Sequence, residues 1–352
     1  MTVDFDVLIV GGGIAGASLG AALAGKVRTA IVEAESHCGL HSTGRSAAFW
    51  LESYGGAAVA PLTAASRDFL ADNGFLRPRG ALHLGLDDWP ELSATIETRR
   101  VGREELELLL PGIRPKWRFA LFEPGCADID VAGLHALYLR DFRRVGGELR
   151  TDSRLVSARR RAGAWAAALA DGSAVTAAIL VNAAGAWADR VASACGVQPI
   201  GISPMRRTMV QLRVGRTGLR DLPLVDDPAG TFYFKGETNS SIWLSPHDEI
   251  PSDPCDAAPE ELDIAIAIDR FESVVDWPVE AVERSWAGLR SFAPDRAPAY
   301  GFDAREPYFF WCAGQGGFGI QTAPGASRLA AALLLGEAPW LDPAPYLASR
   351  FG

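Results

Sequence analysis

Three glycines and one carboxylate carry the first chemical signal. Gly11, Gly13 and Gly16 stand in the spacing G-x-G-x-x-G directly after an apolar run at residues 6–10, and Glu33 closes the next apolar run, 20 residues beyond Gly13. That spacing allows a tight turn at Gly11 and close approach of the Gly13 backbone to a pyrophosphate. Gly16 then lets a helix opening at Ile14 and Ala15 pack on its strand, with its N-terminal N–H groups and dipole favouring an anion. Glu33, followed by Ala34, is placed to accept from ribose hydroxyls, and its charge disfavours a ribose 2′-phosphate. A dinucleotide is the expected ligand. A second glycine loop runs from Gly314 through Gly316, Gly317 and Phe318 to Gly319, ahead of a helical run that starts Ile320-Gln321. It offers a second helix N-terminus, suited to a ring system that gains negative charge on reduction. Residues 39–48 supply small side chains, hydroxyls and backbone donors at Ser42, Thr43, Arg45, Ser46, Ala47 and Ala48, which suits a cofactor extending well past its first nucleotide. NAD and FAD share the first fingerprint; the two later segments favour FAD.

His37-Cys38-x-x-His41 groups three potential metal ligands, but no fourth stands at a recognisable spacing and the trio lies within the cofactor stretch, so no metal is expected. Cys312, just ahead of the second glycine loop, reads as a buried structural thiol.

The elements that must position these residues follow from periodicity. Residues 6–10, 14–24 and 29–32 form one βαβ unit, and residues 57–70 show a helical repeat that stops at Asp72-Asn73-Gly74. The rhythm then breaks. A strand is expected at 81–86 and one or two polar helices over 90–110, as in an inserted domain. It resumes with a helix over 130–145 capped by Asp130, and strands near 149–158, 165–169 and 175–182. Aromatic-bearing strands at 207–214, 231–235 and 241–244, with a helix over 260–275, read as a sheet above a ligand. A strand at 308–313 and a helix over 320–335 close the chain back onto the first unit. The fold class is α/β, a Rossmann-like FAD-binding domain (residues 1–75, 125–200 and 286–352) with an inserted α+β substrate domain (76–124 and 201–285).

Composition narrows the functional classes. Lys plus Arg number 34 against 43 Asp plus Glu, a net charge of -9, so no basic face for nucleic acid is indicated. The longest clean apolar run, 329–335, is far below the ~20 residues a spanning helix needs. No signal-peptide pattern opens the chain, and the five cysteines are scattered without a CxxC, so a reduced, cytoplasmic setting is expected.

The segments VLIVGGGIAGASLG, HSTGRSAAFWLESYG, LVNAAGAWAD, FYFKGE, SWAGLRSF and GQGGFGIQT together resemble the D-amino-acid oxidase-like flavoprotein superfamily, and within it the bacterial FAD-dependent D-arginine dehydrogenases. The resemblance runs from end to end and implies non-covalent FAD, with Val156, Ala184, Gly185 and Trp187 joining its contacts. It implies oxidation of an amino acid at the α-carbon, with hydride passing to flavin N5 and the imino acid hydrolysing to a keto acid and ammonia. Arg290 is implied as the bidentate carboxylate anchor, Tyr54 and Tyr233 as hydroxyl donors from opposite sides, and Arg207 as a second arginine near the substrate. A planar fork suits a carboxylate as an ammonium does not.

The departures from that pattern are informative. Ala81 stands where the D-arginine enzymes have a glutamate for the cationic side chain, and Phe49, Trp50 and Leu51 stand in place of His, Tyr and Thr. With His83 and Gly317 these residues are expected to line an apolar substrate pocket. Asp226 or Asp227 is the available substitute counter-charge. A neutral or apolar D-amino acid is therefore the leading substrate, and Ala81→Glu should turn preference toward basic ones. The alternatives are an oxidase of glycine, sarcosine or another secondary amine, or of a pathway-specific amine-bearing carboxylate, and a flavin-binding protein without turnover. The electron acceptor, oxygen or a quinone, is left open by the residues.

Overall fold

The computed structural model describes residues 3–86, 92 and 96–352. The apolar runs at the start form the expected βαβ unit, with strands Phe5–Val10 and Thr29–Val32 parallel around helix Ile14–Leu23. The helix is apolar on every side because it is covered on every side. It packs against helices Val131–Arg144 and Gly319–Leu335 as well as the sheet. Small residues permit this. A Cβ on Gly16 would stand 1.9 Å from the Gly11 carbonyl, and one on Gly20 would press Ile31 and Phe142.

Among the described residues this first sheet has eight strands. Its main path runs Leu155–Arg161, Ala164–Leu169, Ala174–Asn182, Phe5–Val10, Thr29–Val32, Glu148–Arg150, and Phe309–Ala313 pairs parallel to Ala174–Asn182. Among the described residues the second sheet has ten strands, built on the long antiparallel pair Ser203–Val214 and Val279–Phe292. Helices Arg103–Leu109 and Glu261–Glu272 bury its outer face around Phe234, Phe271 and Trp277. A three-stranded ribbon, Phe49–Trp50, Ala127–Ile129 and Leu76–Pro78, lies beside them. Asp130 caps its helix as expected, its carboxylate accepting from Gly133 N at 2.9 Å.

Three expectations change. The repeat over 57–70 is two short helices, Ala60–Ala64 and Arg67–Asp72. The break falls where Ser66 Oγ turns to donate to Leu62 O and accept from Gly325 N, drawing the chain onto the closing helix. Of the polar helices expected over 90–110, residues 90, 91 and 93–95 lie outside the described residues. The remainder is strand Arg99–Val101, paired with Phe119–Glu123, and helix Arg103–Leu109. Strand Val279–Phe292 runs unbroken through residue 285, so the domain boundary expected there falls inside one strand and Arg290 belongs to the second sheet.

Candidate functional site

A cavity of about 500 Å³ lies between the two sheets. At one end Gly11 adopts φ +107°, where a Cβ would meet the Ala183 carbonyl at 2.5 Å, so the turn requires glycine. Gly12 N donates to Glu33 Oε2 at 2.8 Å and Glu35 N to Glu33 Oε1 at 3.1 Å, which fixes the carboxylate on the wall beside the turn. Thr43 Oγ1 accepts from Ile14 N at 3.0 Å, and His135 reaches the Gly12 carbonyl at 2.8 Å from beneath. Ala15, Ala34, Val156, Ala184, Gly185 and Trp187 line this end with Arg154 and Arg190, two basic residues that sequence reasoning missed.

The middle of the cavity is held by the stretch after Glu33. Ser42 Oγ donates to Leu289 O at 2.6 Å. Arg45 lines the wall, but its guanidinium turns away to Asp256 and to the carbonyls of Ala257 and Ala287. It therefore staples the cofactor stretch to the second sheet rather than offering a free cation. Ser46 and Ala47 line the wall; Ala48 does not. His37 turns to Ser36 and His41 to Glu35, and among the described residues no three metal-ligand side chains converge. Cys312 is buried in its strand, and burial pushes the thiol up to about 12.

At the far end Arg290 Nη1 donates to Tyr54 Oη at 2.6 Å and Nη2 to Tyr233 Oη at 3.4 Å. Burial opposes the Arg290 charge, and the Tyr54 and Tyr233 oxygens with Glu249 outweigh it, so its pKa lies above the usual value. A Cβ on Gly317 would stand 2.7 Å from Tyr54 Oη and 2.9 Å from Arg290 Nη1, so this glycine leaves the space the pair occupies. Gly316 (φ +54°), Gly319 and Ile320 complete the wall. Gly314 and Phe318 stand behind it, Phe318 with its ring on Tyr54. Gln321 is turned inward, donating to Tyr54 O and Thr63 Oγ1, so it fixes the Tyr54 loop.

Arg207 also reaches the cavity. Its Nε donates to Asp248 O and its Nη2 to Glu249 Oε1 at 3.2 Å, while Nη1 is buried without a partner. Burial, then the neighbouring Arg290 charge, holds its pKa below the ordinary value. Two residues absent from the sequence reading complete this end. Met209 shares a strand face with Arg207 two positions away, a spacing that could have found it, and accepts from Tyr233 Oη at 3.0 Å. His247 lies with its ring 5.6 Å from Tyr233 and 6.4 Å from Tyr54, held down to about 3 by burial and by Arg207 and Arg290. It is a neutral imidazole that no sequence signal marked.

Of the expected pocket residues, only Gly317 is on the cavity wall. Phe49 sets its ring tilted against Tyr54 and edge-on to Tyr233, whereas Trp50, on the opposite side of the same two-residue strand, donates to Thr63 O in the core. Leu51 and Ala81 are buried behind Met209 and Tyr233 with Leu224. His83 sits between Asp226 at 2.7 Å and Glu123 at 3.1 Å, and Asp227 is taken by Thr231 and Ala229 N. Ala81 pairs in register with Glu123, so a glutamate there would stand beside a buried like charge, and Ala81→Glu would not open a cation subsite.

The wall fits the cofactor that the sequence pointed to. Gly13 and Gly317 line the wall where a Cβ would meet Thr43 Oγ1 at 3.3 Å and Tyr54 Oη at 2.7 Å, Glu33 offers acceptors at one end, and Arg290 lies at the other.

The family model described as FAD dependent oxidoreductase (DAO) matches residues 6–333. The chain is 28% identical over 202 residues to FAD-dependent oxidoreductase domain-containing protein 1 of Bos taurus and 27% to that of Mus musculus, covering 50% of this chain and 40% of each relative. It thus matches less than half the length of those relatives. Among solved structures, L-proline dehydrogenase from P. horikoshii superposes with a TM-score of 0.85 at 20% identity, over 100% of this chain and 98% of that one. Glycine oxidase from Geobacillus kaustophilus gives 0.83 at 20%, over 99% of each. Iminodiacetate oxidase from Chelativorans sp. gives 0.80 at 21%, over 97% and 98%. These likenesses share the two-sheet fold with this chain. With a match that takes in the first glycine turn, the arginine strand and the second glycine loop alike, the chain belongs to the DAO family of FAD-dependent oxidoreductases.

Proposed function

We propose that this chain oxidises a small neutral or apolar amino acid, of D configuration, at its α-carbon. The carrying observation is the buried Arg290 fork, flanked by the Tyr54 and Tyr233 hydroxyls and facing the space left by Gly317. Bound FAD supplies two-electron acceptor chemistry. Arg290 binds the carboxylate with two parallel N–H bonds and so fixes where the α-carbon lies. Tyr54 Oη already accepts from Arg290, which leaves its proton to donate to the same carboxylate. The charges of Arg290 and Arg207 disfavour an ammonium nearby, so the amine is held as free base with its lone pair ready to form the C=N bond as hydride leaves. The imino acid hydrolyses in water to a keto acid and ammonia.

Side-chain preference follows from the wall. Asp226 is occupied by His83 and Asp227 by its own turn, so neither meets a cationic side chain, and burying an unpaired guanidinium costs several kcal/mol. A second reading, oxidation of glycine, sarcosine or another secondary amine, is favoured by the buried cluster in which Leu51, Ala81 and Leu224 pack with Met209. An anaerobic panel of D- and L-amino acids and N-methyl amines, followed by loss of the flavin's visible absorbance, tests both. Bleaching by neutral D-amino acids supports the first; bleaching confined to glycine and N-methyl amines supports the second; bleaching fastest with D-arginine contradicts both.

A further inference from the structure

The chemistry proposed above leaves unused a buried group of three ionisable side chains beside the site. His83 and Glu123 have side chains only 2% exposed, and Asp226 is 21% exposed. Both ring nitrogens of His83 meet carboxylate oxygens, Nδ1 with Asp226 Oδ1 at 2.7 Å and Nε2 with Glu123 Oε2 at 3.1 Å. A neutral imidazole has one N–H, whereas the imidazolium donates at both ends and so meets both carboxylates. The other oxygen of Glu123 points elsewhere. Oε1 accepts from the backbone N–H groups of Glu52 at 3.1 Å and Ser53 at 3.5 Å, in the loop that carries Tyr54. At the opposite end, Asp226 pairs in register with Tyr233. The chain Glu123–His83–Asp226 therefore begins at the loop of one tyrosine and ends at the strand of the other.

Resting on the reading of Arg290 as a carboxylate seat, we propose that Glu123, His83 and Asp226 act as one positioning unit that sets the Tyr54 and Tyr233 hydroxyls on either side of Arg290 and so tunes the seat for the substrate carboxylate. None of the three touches the reacting atoms. Gln321 holds the same loop through Leu51 N and Tyr54 O, so the fold of the loop has a second support and its exact placement is what the charged unit adds.

The test uses the FAD-loaded protein and propionate, a carboxylate without an amine, read by perturbation of the flavin spectrum. His83→Gln and Glu123→Gln should each weaken propionate about tenfold, the loss expected for a charge-assisted hydrogen bond that is no longer made. The double variant should be no weaker than the worse single one, because the residues act together. KM for the best substrate of the panel should rise by the same factor with kcat little changed and the FAD content intact. Should either variant fail to fold, Asp226→Asn, at the less buried end, should still raise both constants. Propionate binding that is equal in wild type and variants, with only the melting temperature lowered, overturns the positioning role and leaves the carboxylate seat standing. Absence of any spectral response in the wild type overturns the seat itself and this proposal with it.

Discussion

Arg290 is the residue on which most depends, and its geometry gives a direct expectation. Arg290→Lys replaces a planar two-point contact with a single ammonium, so the flavin-reduction rate should fall roughly 100-fold while FAD content is unchanged. Survival of both rate and substrate affinity would move the anchor to Arg207, whose Nη1 is unpartnered. Gly317→Ala tests the same seat from the other side. Its methyl group would intrude on Tyr54 Oη and Arg290 Nη1, so propionate binding should weaken with FAD retained. His83 gives a pH signature. Burial alone would lower its pKa, but Asp226 and Glu123 raise it to about 10, above the ordinary 6.5. A group raised on folding stabilises fully below its unfolded pKa and loses that contribution as pH climbs through the folded one. The wild-type melting temperature should therefore fall between pH 6.5 and 10 by more than that of His83→Gln. At this scale the sequence made the glycine turns, Glu33 and the Arg290–tyrosine group legible through motif blocks. Met209 and His247 lay outside those blocks, and His247 reaches the tyrosines only through the way its loop returns.

Elements were legible where one period ran long enough. The βαβ unit, the Asp130 cap and the closing helix all stand close to where periodicity set them. Asp130→Ala removes a cap worth about 1 kcal/mol, and the melting temperature should drop by roughly 2 °C with the flavin spectrum unaltered. The two-residue strand Phe49–Trp50 shows why the pocket was misread. Successive side chains on a strand face opposite ways, so Phe49 and Trp50 cannot both face one ligand, and sequence gave no register to choose between them. Residue 285, where a domain was expected to end, lies within a strand 14 residues long that carries no turn signal.

Across the whole molecule, the cofactor cavity is the seam between two sheets, walled by Gly11, Gly13 and Glu33 from one and Arg290 from the other. Anything bound along that seam ties both sheets to the native state. FAD removal should thus lower the melting temperature, and acid precipitation should release the yellow colour, because Cys312 is buried with its thiol pushed up to about 12 and is not available as a nucleophile. Colour retained by the precipitate would contradict a non-covalent site. The most direct measurement of the central claim compares an amino acid with the same amine lacking its carboxylate. Purified FAD-loaded protein is mixed without oxygen with D-leucine and, separately, with isopentylamine, and the rate of flavin bleaching is recorded. Bleaching by D-leucine with little or none by isopentylamine is expected if Arg290 seats the carboxylate; equal rates with the two, or bleaching by the amine alone, would contradict it.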